Sequence, residues 1–194
     1  MSSYTKKCIA KCTEDCNRCT TTSEKSRGIR MRLSEDGKHL DVSDAKYAAL
    51  IEKLADIVRE SEWEFDAILC LARGGLRVGD VLSRILQKPL AILATSSYRA
   101  DAGTTRSELH IAPHISFAHG ELKGRVLLVD DMADSGQTLR GVIDSLAANH
   151  PEISELRTAV LWVKSVSVFF PDYAAEILPN SPWIHQPFEK YDAR

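Results

Sequence analysis

One stretch constrains this chain more than any other: Val126-Leu127-Leu128-Val129-Asp130-Asp131-Met132-Ala133-Asp134-Ser135-Gly136-Gln137-Thr138. Four consecutive apolar residues leave no polar face, so Val126–Asp130 is expected to be a strand covered on both sides, as in a parallel sheet. The strand ends in two adjacent carboxylates, and a short loop of small and polar residues follows. Sheets of that kind bind ligands in the crevice beyond the carboxyl ends of their strands. Paired carboxylates there suit sugar hydroxyls or a divalent cation. Small residues let backbone N–H groups converge on a phosphate at the start of the next helix.

The rest of the chain, from about Met31, alternates between two periods. Glu35-Asp36-Gly37-Lys38 is a turn signal. Ser43 is an N-cap for a helix over 44–60, with Leu50, Ile51, Leu54, Ile57 and Val58 as its apolar stripe. Ala67–Leu71 reads as a buried strand. Val78, Val81, Leu82, Ile85 and Leu86 repeat the helical stripe until Pro89 stops it. Leu90–Ala94 is a strand, Leu139 to Ala147 a helix and Leu156–Val163 a strand. Residues 95–119 are polar and read as a long loop, which in a compact domain is usually a functional lid or is disordered. Residues 172–188 are aromatic and broken by proline. Strands alternating with helices predict an α/β fold, with a parallel twisted sheet flanked by helices. Three chemically loaded segments fall at its carboxyl edge: Ala72-Arg73-Gly74-Gly75, Asp131–Thr138, and Lys164.

Composition sets the remaining bounds. A chain of 194 residues predicts one domain, placed at 31–194. Residues 1–30 hold nine Ser/Thr, seven Lys/Arg and four Cys, a composition that buries no core, and are expected to be a disordered tail. Net charge is −2, which argues against holding long nucleic acid by counterion release. No apolar run approaches ~18 residues, so no membrane span is expected. The start lacks an apolar segment of about 7–15 residues, so no secretory signal is expected and the cytoplasm is the expected compartment. Cys70 ends an apolar run and is expected to pack as a small hydrophobe. Cys8, Cys12, Cys16 and Cys19 are merged too closely for the usual spaced zinc pairs and read as free thiols. His110, His114 and His119 are separated by Pro113 and are not expected to form a metal site.

Taken alone, Asp130–Thr138 could be a solvated loop capping a helix. A receiver domain also carries Asp-Asp after a strand, but needs far more chain after it than the 63 residues that follow Asp131. The whole pattern resembles type I phosphoribosyltransferases, whose fingerprint is a hydrophobic run, two acids, and a small-residue loop ending Thr/Ser-Gly-x-Thr. The resemblance implies that Asp130 and Asp131 bind the ribose hydroxyls of 5-phosphoribosyl pyrophosphate (PRPP). It implies that Ser135, Gly136, Gln137 and Thr138 cage the 5′-phosphate. Ser135 replaces the commoner Thr and Gln137 the commoner Gly.

Arg73-Gly74-Gly75 then resembles the family's pyrophosphate loop, usually Ser-Arg-Gly-Gly, with Ala72 in place of Ser. Glycine allows close backbone approach, and arginine offers a forked donor pair to phosphate. Ser97-Tyr98 resembles the opening of the mobile loop of 6-oxopurine members, in which Arg106 is the candidate partner of pyrophosphate. Lys164 stands where the purine members have a Lys that donates to the 6-oxo group. Trp183-Ile184-His185-Gln186-Pro187-Phe188 resembles the Trp-Ile-x-Gln-Pro-Trp ending of the bacterial xanthine-guanine phosphoribosyltransferases, with Phe188 in place of Trp. There Trp183 would stack on the base and the Ile184 carbonyl would accept from a 2-substituent, within a small C-terminal hood. The resemblance covers about residues 40–190.

What it implies is a Mg²⁺-dependent purine-salvage transferase that moves the 5-phosphoribosyl group from PRPP to N9 of guanine, xanthine or hypoxanthine. Asp131 is the candidate metal contact and Asp134 the general base. Relatives form dimers or tetramers, so a homo-oligomer is expected. Two rivals stay open: a PRPP- or nucleotide-sensing regulator on the same fold, and a transferase for another base.

Overall fold

The computed structural model describes residues 30–97 and 109–192. The strands are β1 (Met31–Leu33), β2 (His39–Val42), β3 (Ala67–Ala72), β4 (Leu90–Ser97), β5 (Leu109–Ile111), β6 (Ser116–Phe117), β7 (Gly124–Ala133), β8 (Ile153–Lys164), β9 (Tyr173–Leu178) and β10 (Trp183–His185). The helices are α1 (Asp44–Glu60), α2 (Leu76–Leu86) and α3 (Gln137–Asn149).

The main sheet runs β5-β4-β3-β7-β8-β9, with β6 also paired to β4. Its central strands β4, β3, β7, β8 and β9 are parallel. Side-chain alternation splits its interior into two cores. Ile68, Cys70, Leu127 and Val129 face α1 and α2, with Leu50, Leu54, Val78 and Leu82. Leu69, Leu71, Val126 and Leu128 face α3, with Leu139, Val142 and Leu146. The four-residue apolar run is needed because β7 is covered on both sides.

Local chemistry places the helices where the sequence puts them. The Ser43 hydroxyl caps α1 by accepting from the Lys46 amide at 3.2 Å. α2 ends at Leu86 through Gln87 in the left-handed region (φ 54°), two residues before Pro89. Gly79 lets α2 lie on β3: a Cβ there would come within 2.5 Å of the Cys70 Cβ. Cys70 is fully buried, and burial pushes its thiol pKa up to about 11, so it is the inert packing residue expected.

The structure departs from the sequence expectation at three places. β7 and β8 run past their expected ends, so Asp131, expected just after the strand, lies within it like Asp130. Within 95–119, expected to be loop, β5 and β6 add antiparallel to β4 through Thr95↔Ile111 and Ala91↔Phe117. The aromatic end is built of strands: β9 extends the main sheet, and β10 joins β2 in a small second sheet. That sheet, β1-β2-β10, makes the expected hood from both ends of the domain. Most of these added strands have two to four residues, too few to show a period. Residues 1–29, with the four clustered cysteines, lie outside the described residues.

Candidate active site

The paired acids are assembled first. The Asp131 amide donates to Asp130 Oδ1 at 2.9 Å, and the Met132 amide donates to Asp131 Oδ1 at 2.8 Å. The Gln186 side-chain amide donates to Asp131 Oδ2. Burial, followed by the neighbouring Asp131 charge, raises the Asp130 pKa well above the usual carboxylate range. Burial also raises Asp131, opposed first by the Gln186 hydrogen bond and then by the Met132 amide. Both carboxylates are therefore costly to keep charged without a ligand that brings donors or positive charge.

The turn after β3 is pressed against them. A Cβ on Gly74 would meet Asp131 Oδ1 at 2.7 Å, and one on Gly75 would meet the Val129 carbonyl oxygen at 2.7 Å. The glycines of the Arg73-Gly74-Gly75 loop thus let backbone approach the acids, as their type suggested. Arg73 itself is largely solvent-exposed and pairs with Asp192 at 3.2 Å. It is not drawn to the acids.

The loop from Asp134 to Thr138 leads into α3. Gly136 holds φ +75°, and a Cβ there would strike Ser167 Oγ at 2.5 Å. The Ser135 carbonyl accepts from the Val168 amide at 3.0 Å, and Ser135 Oγ accepts from the Gln137 amide at 3.4 Å. The loop is thus anchored from the β8–β9 connection. α3 begins with no acidic residue in its first turn and no capping side chain on Gly136. No acidic side chain of that first turn opposes the positive end of the helix. Gln137 is exposed and Thr138 half-buried.

Lys164 closes β8 and is only 5% exposed. A solvated strand end is thereby excluded. Its Nζ lies 3.0 Å from Asp134 Oδ1. Two candidates 30 positions apart in sequence are therefore one ion pair, because β7 and β8 are adjacent and parallel with Ala133↔Val163 in register. On the small sheet, Ile184 is buried and Trp183 is 49% exposed. Trp183 is anchored by its amide to the Lys38 carbonyl at 2.7 Å. Ser97 ends β4, paired with Leu109. Tyr98 and Arg106 lie outside the described residues.

Sequence reading missed several contributors. Gln186 was inside the recognised ending, but its bond to Asp131 spans 55 positions and carries no local signal. Phe188 holds the Arg77 guanidinium over its ring at 4.5 Å and meets Tyr47 edge-on. Ser167 abuts Gly136 without any motif to announce it.

Two paired acids, a glycine turn, a buried lysine and the start of α3 thus meet beyond the carboxyl ends of the parallel strands. The phosphoribosyl transferase domain family matches residues 40–193, and the chain belongs to that family. A curated relative, the hypoxanthine/guanine phosphoribosyltransferase of Methanopyrus kandleri, is 31% identical over 99 residues, covering 50% of this chain and 53% of the relative. The chain thus spans about half the length of that relative. The solved purine phosphoribosyltransferase of Pyrococcus horikoshii is 31% identical, with a TM-score of 0.64, over 78% of this chain and 94% of that one. The xanthine-guanine-hypoxanthine phosphoribosyltransferase of Helicobacter pylori shares the fold at 23% identity, with a TM-score of 0.63, over 80% and 99% of the two chains. Among the described residues no helix is long and apolar enough to cross a membrane.

Proposed function

We propose that this protein transfers the 5-phosphoribosyl group from PRPP to N9 of a 6-oxopurine, releasing the nucleoside 5′-monophosphate and pyrophosphate. The observation that carries the base class is the buried Lys164 paired with Asp134 at 3.0 Å, two positions beyond Met132 and next to the ribose acids. A buried ammonium with one carboxylate partner among the described residues has donors left for a carbonyl oxygen such as the purine 6-oxo group. The carboxylate beside it can accept the purine proton.

The reaction breaks the bond between ribose C1 and pyrophosphate oxygen and forms the C1–N9 bond. The electron pair of the broken bond leaves with pyrophosphate. The base loses its N7 proton to Asp134 as N9 attacks. Departure of pyrophosphate builds positive charge on the ribose, which Asp130 and Asp131 face from the sheet. The Arg73-Gly74-Gly75 loop receives the leaving anion, and the N-terminus of α3 holds the 5′-phosphate. These groups act by position and charge rather than by a covalent intermediate.

Magnesium belongs to the same proposal, with Asp131 as its protein contact. Among the described residues no group of three or more His, Cys, Asp or Glu could hold a metal ion. Paired carboxylates alone fit an ion that takes most of its oxygens from water and substrate phosphates. Once bound, it would neutralise pyrophosphate oxygens. A homodimer or homotetramer and a cytoplasmic setting complete the reading. Exposed Val166, Val168 and Phe170 on the β8–β9 connection support assembly with another chain.

The test is a PRPP-dependent assay with guanine, hypoxanthine, xanthine, adenine and orotate. Turnover of one or more of the first three supports the proposal. Failure of all three with turnover of adenine or orotate moves the substrate class. Binding of PRPP or nucleotide with no turnover of any base favours a sensing protein.

A further inference from the structure

We propose that Gln186 is a positioning residue for Asp131, through which the hood sets the geometry of the ribose site; this rests on the function proposed above. Gln186 follows β10 directly and is 6% exposed. Its Nε2 donates to Asp131 Oδ2, while Asp131 Oδ1 accepts from the Met132 amide at 2.8 Å. The carboxylate is thus gripped at both oxygens, one by its own strand and one by the hood. Each oxygen keeps a further lone-pair position for a sugar hydroxyl or a metal-bound water.

The other end of the same amide carries the argument. Gln186 Oε1 is buried without a hydrogen-bond partner among the described residues. If packing were the only role, an apolar side chain of that size would do better, because a half-satisfied buried amide is costly. The donor to Asp131 is what glutamine supplies and an apolar residue does not. The segment that carries it is fixed on the far side: Phe188 is wedged between Arg77 and Tyr47. Ile184, on the near side, is buried in register with Leu40. Displacing the hood therefore moves a donor away from Asp131. The Gln186–Asp131 bond thus joins the purine and ribose halves of the site, beside the Lys164–Asp134 pair.

The experiment uses the full chain. PRPP with Mg²⁺ is titrated calorimetrically into the unaltered protein, Gln186→Met and Gln186→Glu, and KM is measured for PRPP and for a 6-oxopurine. Methionine keeps the length and removes the donor; glutamate keeps the shape and sets a carboxylate against Asp131. PRPP binding should weaken about 10–100-fold in Gln186→Met, as expected for losing a hydrogen bond to a charged group, and further in Gln186→Glu. KM for PRPP should rise while KM for the base stays within about 3-fold. Two folded variants that bind PRPP as the unaltered protein does would overturn this inference alone. So would an equal rise in both KM values. An unaltered protein that binds no PRPP would overturn the proposed function with it. Should the variants fail to fold, the Gln186 side-chain amide signal of the ¹⁵N-labelled unaltered protein decides. It should shift when PRPP and Mg²⁺ are added, and an unmoved signal contradicts the proposal.

Discussion

The two halves of the site are built in opposite ways. The half proposed to hold ribose and phosphate comes from one run, Asp130–Thr138, backed by the turn at Gly74-Gly75. The half proposed to hold the base is gathered from pieces: Lys164 at the end of β8, Trp183 and Ile184 on β10, and Gln186 beyond it. The first half lies at the center of a sheet buried on both faces. The second, apart from Lys164, rests on a three-stranded sheet whose strands have three or four residues. A contiguous half is rigid and hard to alter without losing the phosphate site. An assembled half can be changed a residue at a time, which is where base preference would be tuned.

If that division holds, substitutions should separate by substrate. The largest effect is expected where the halves meet. Asp134→Ala should lower kcat by about 10²–10⁴-fold, the usual worth of a general base, while nucleotide binding persists. Unchanged kcat would remove Asp134 from the mechanism. Gly74→Ala drives a Cβ into the Asp131 carboxylate. It should raise KM for PRPP by on the order of 10²-fold, since small misplacements near the reacting centre are expensive. Equal effects on the base KM would blur the boundary between the halves.

Trp183→Ala should raise only the base KM, by about 5–100-fold if stacking is lost. The smallest expected effect concerns stability. Burial holds the folded-state pKa of Asp130 above its unfolded value. Folding is therefore disfavoured by this group once pH rises above the unfolded carboxylate range, and that cost disappears as pH falls below it. Asp130→Asn should raise Tm at pH 7 and leave it nearly unchanged near pH 3, followed by thermal unfolding at both pH values. A lower Tm at pH 7 would mean the carboxylate is stabilising as it stands.

The same contrast explains what could be read in the sequence. Helix α1 falls on its expected bounds because Ser43 caps it and its stripe repeats over 17 residues. β7 was legible because four apolar residues admit no half-exposed strand. Lys164 and Asp134 were each legible as candidates, but their ion pair depends on the register between two strands. Gln186 was legible only as a letter in a motif, since its partner is 55 positions upstream. β5, β6 and β10 were not legible, because pieces of two or three residues carry no period and are held by the strands they join. The fold was thus written locally in its long elements, and the base half was written in contacts between distant ones.

The most direct test of the two-part site is the pair of KM values in Lys164→Met, which keeps the buried stem and removes the charge. Loss of a charged hydrogen bond to the base should raise its KM by about 10–100-fold and leave KM for PRPP within a few-fold of the unaltered protein. A KM for PRPP that rises as much as that for the base would contradict the division.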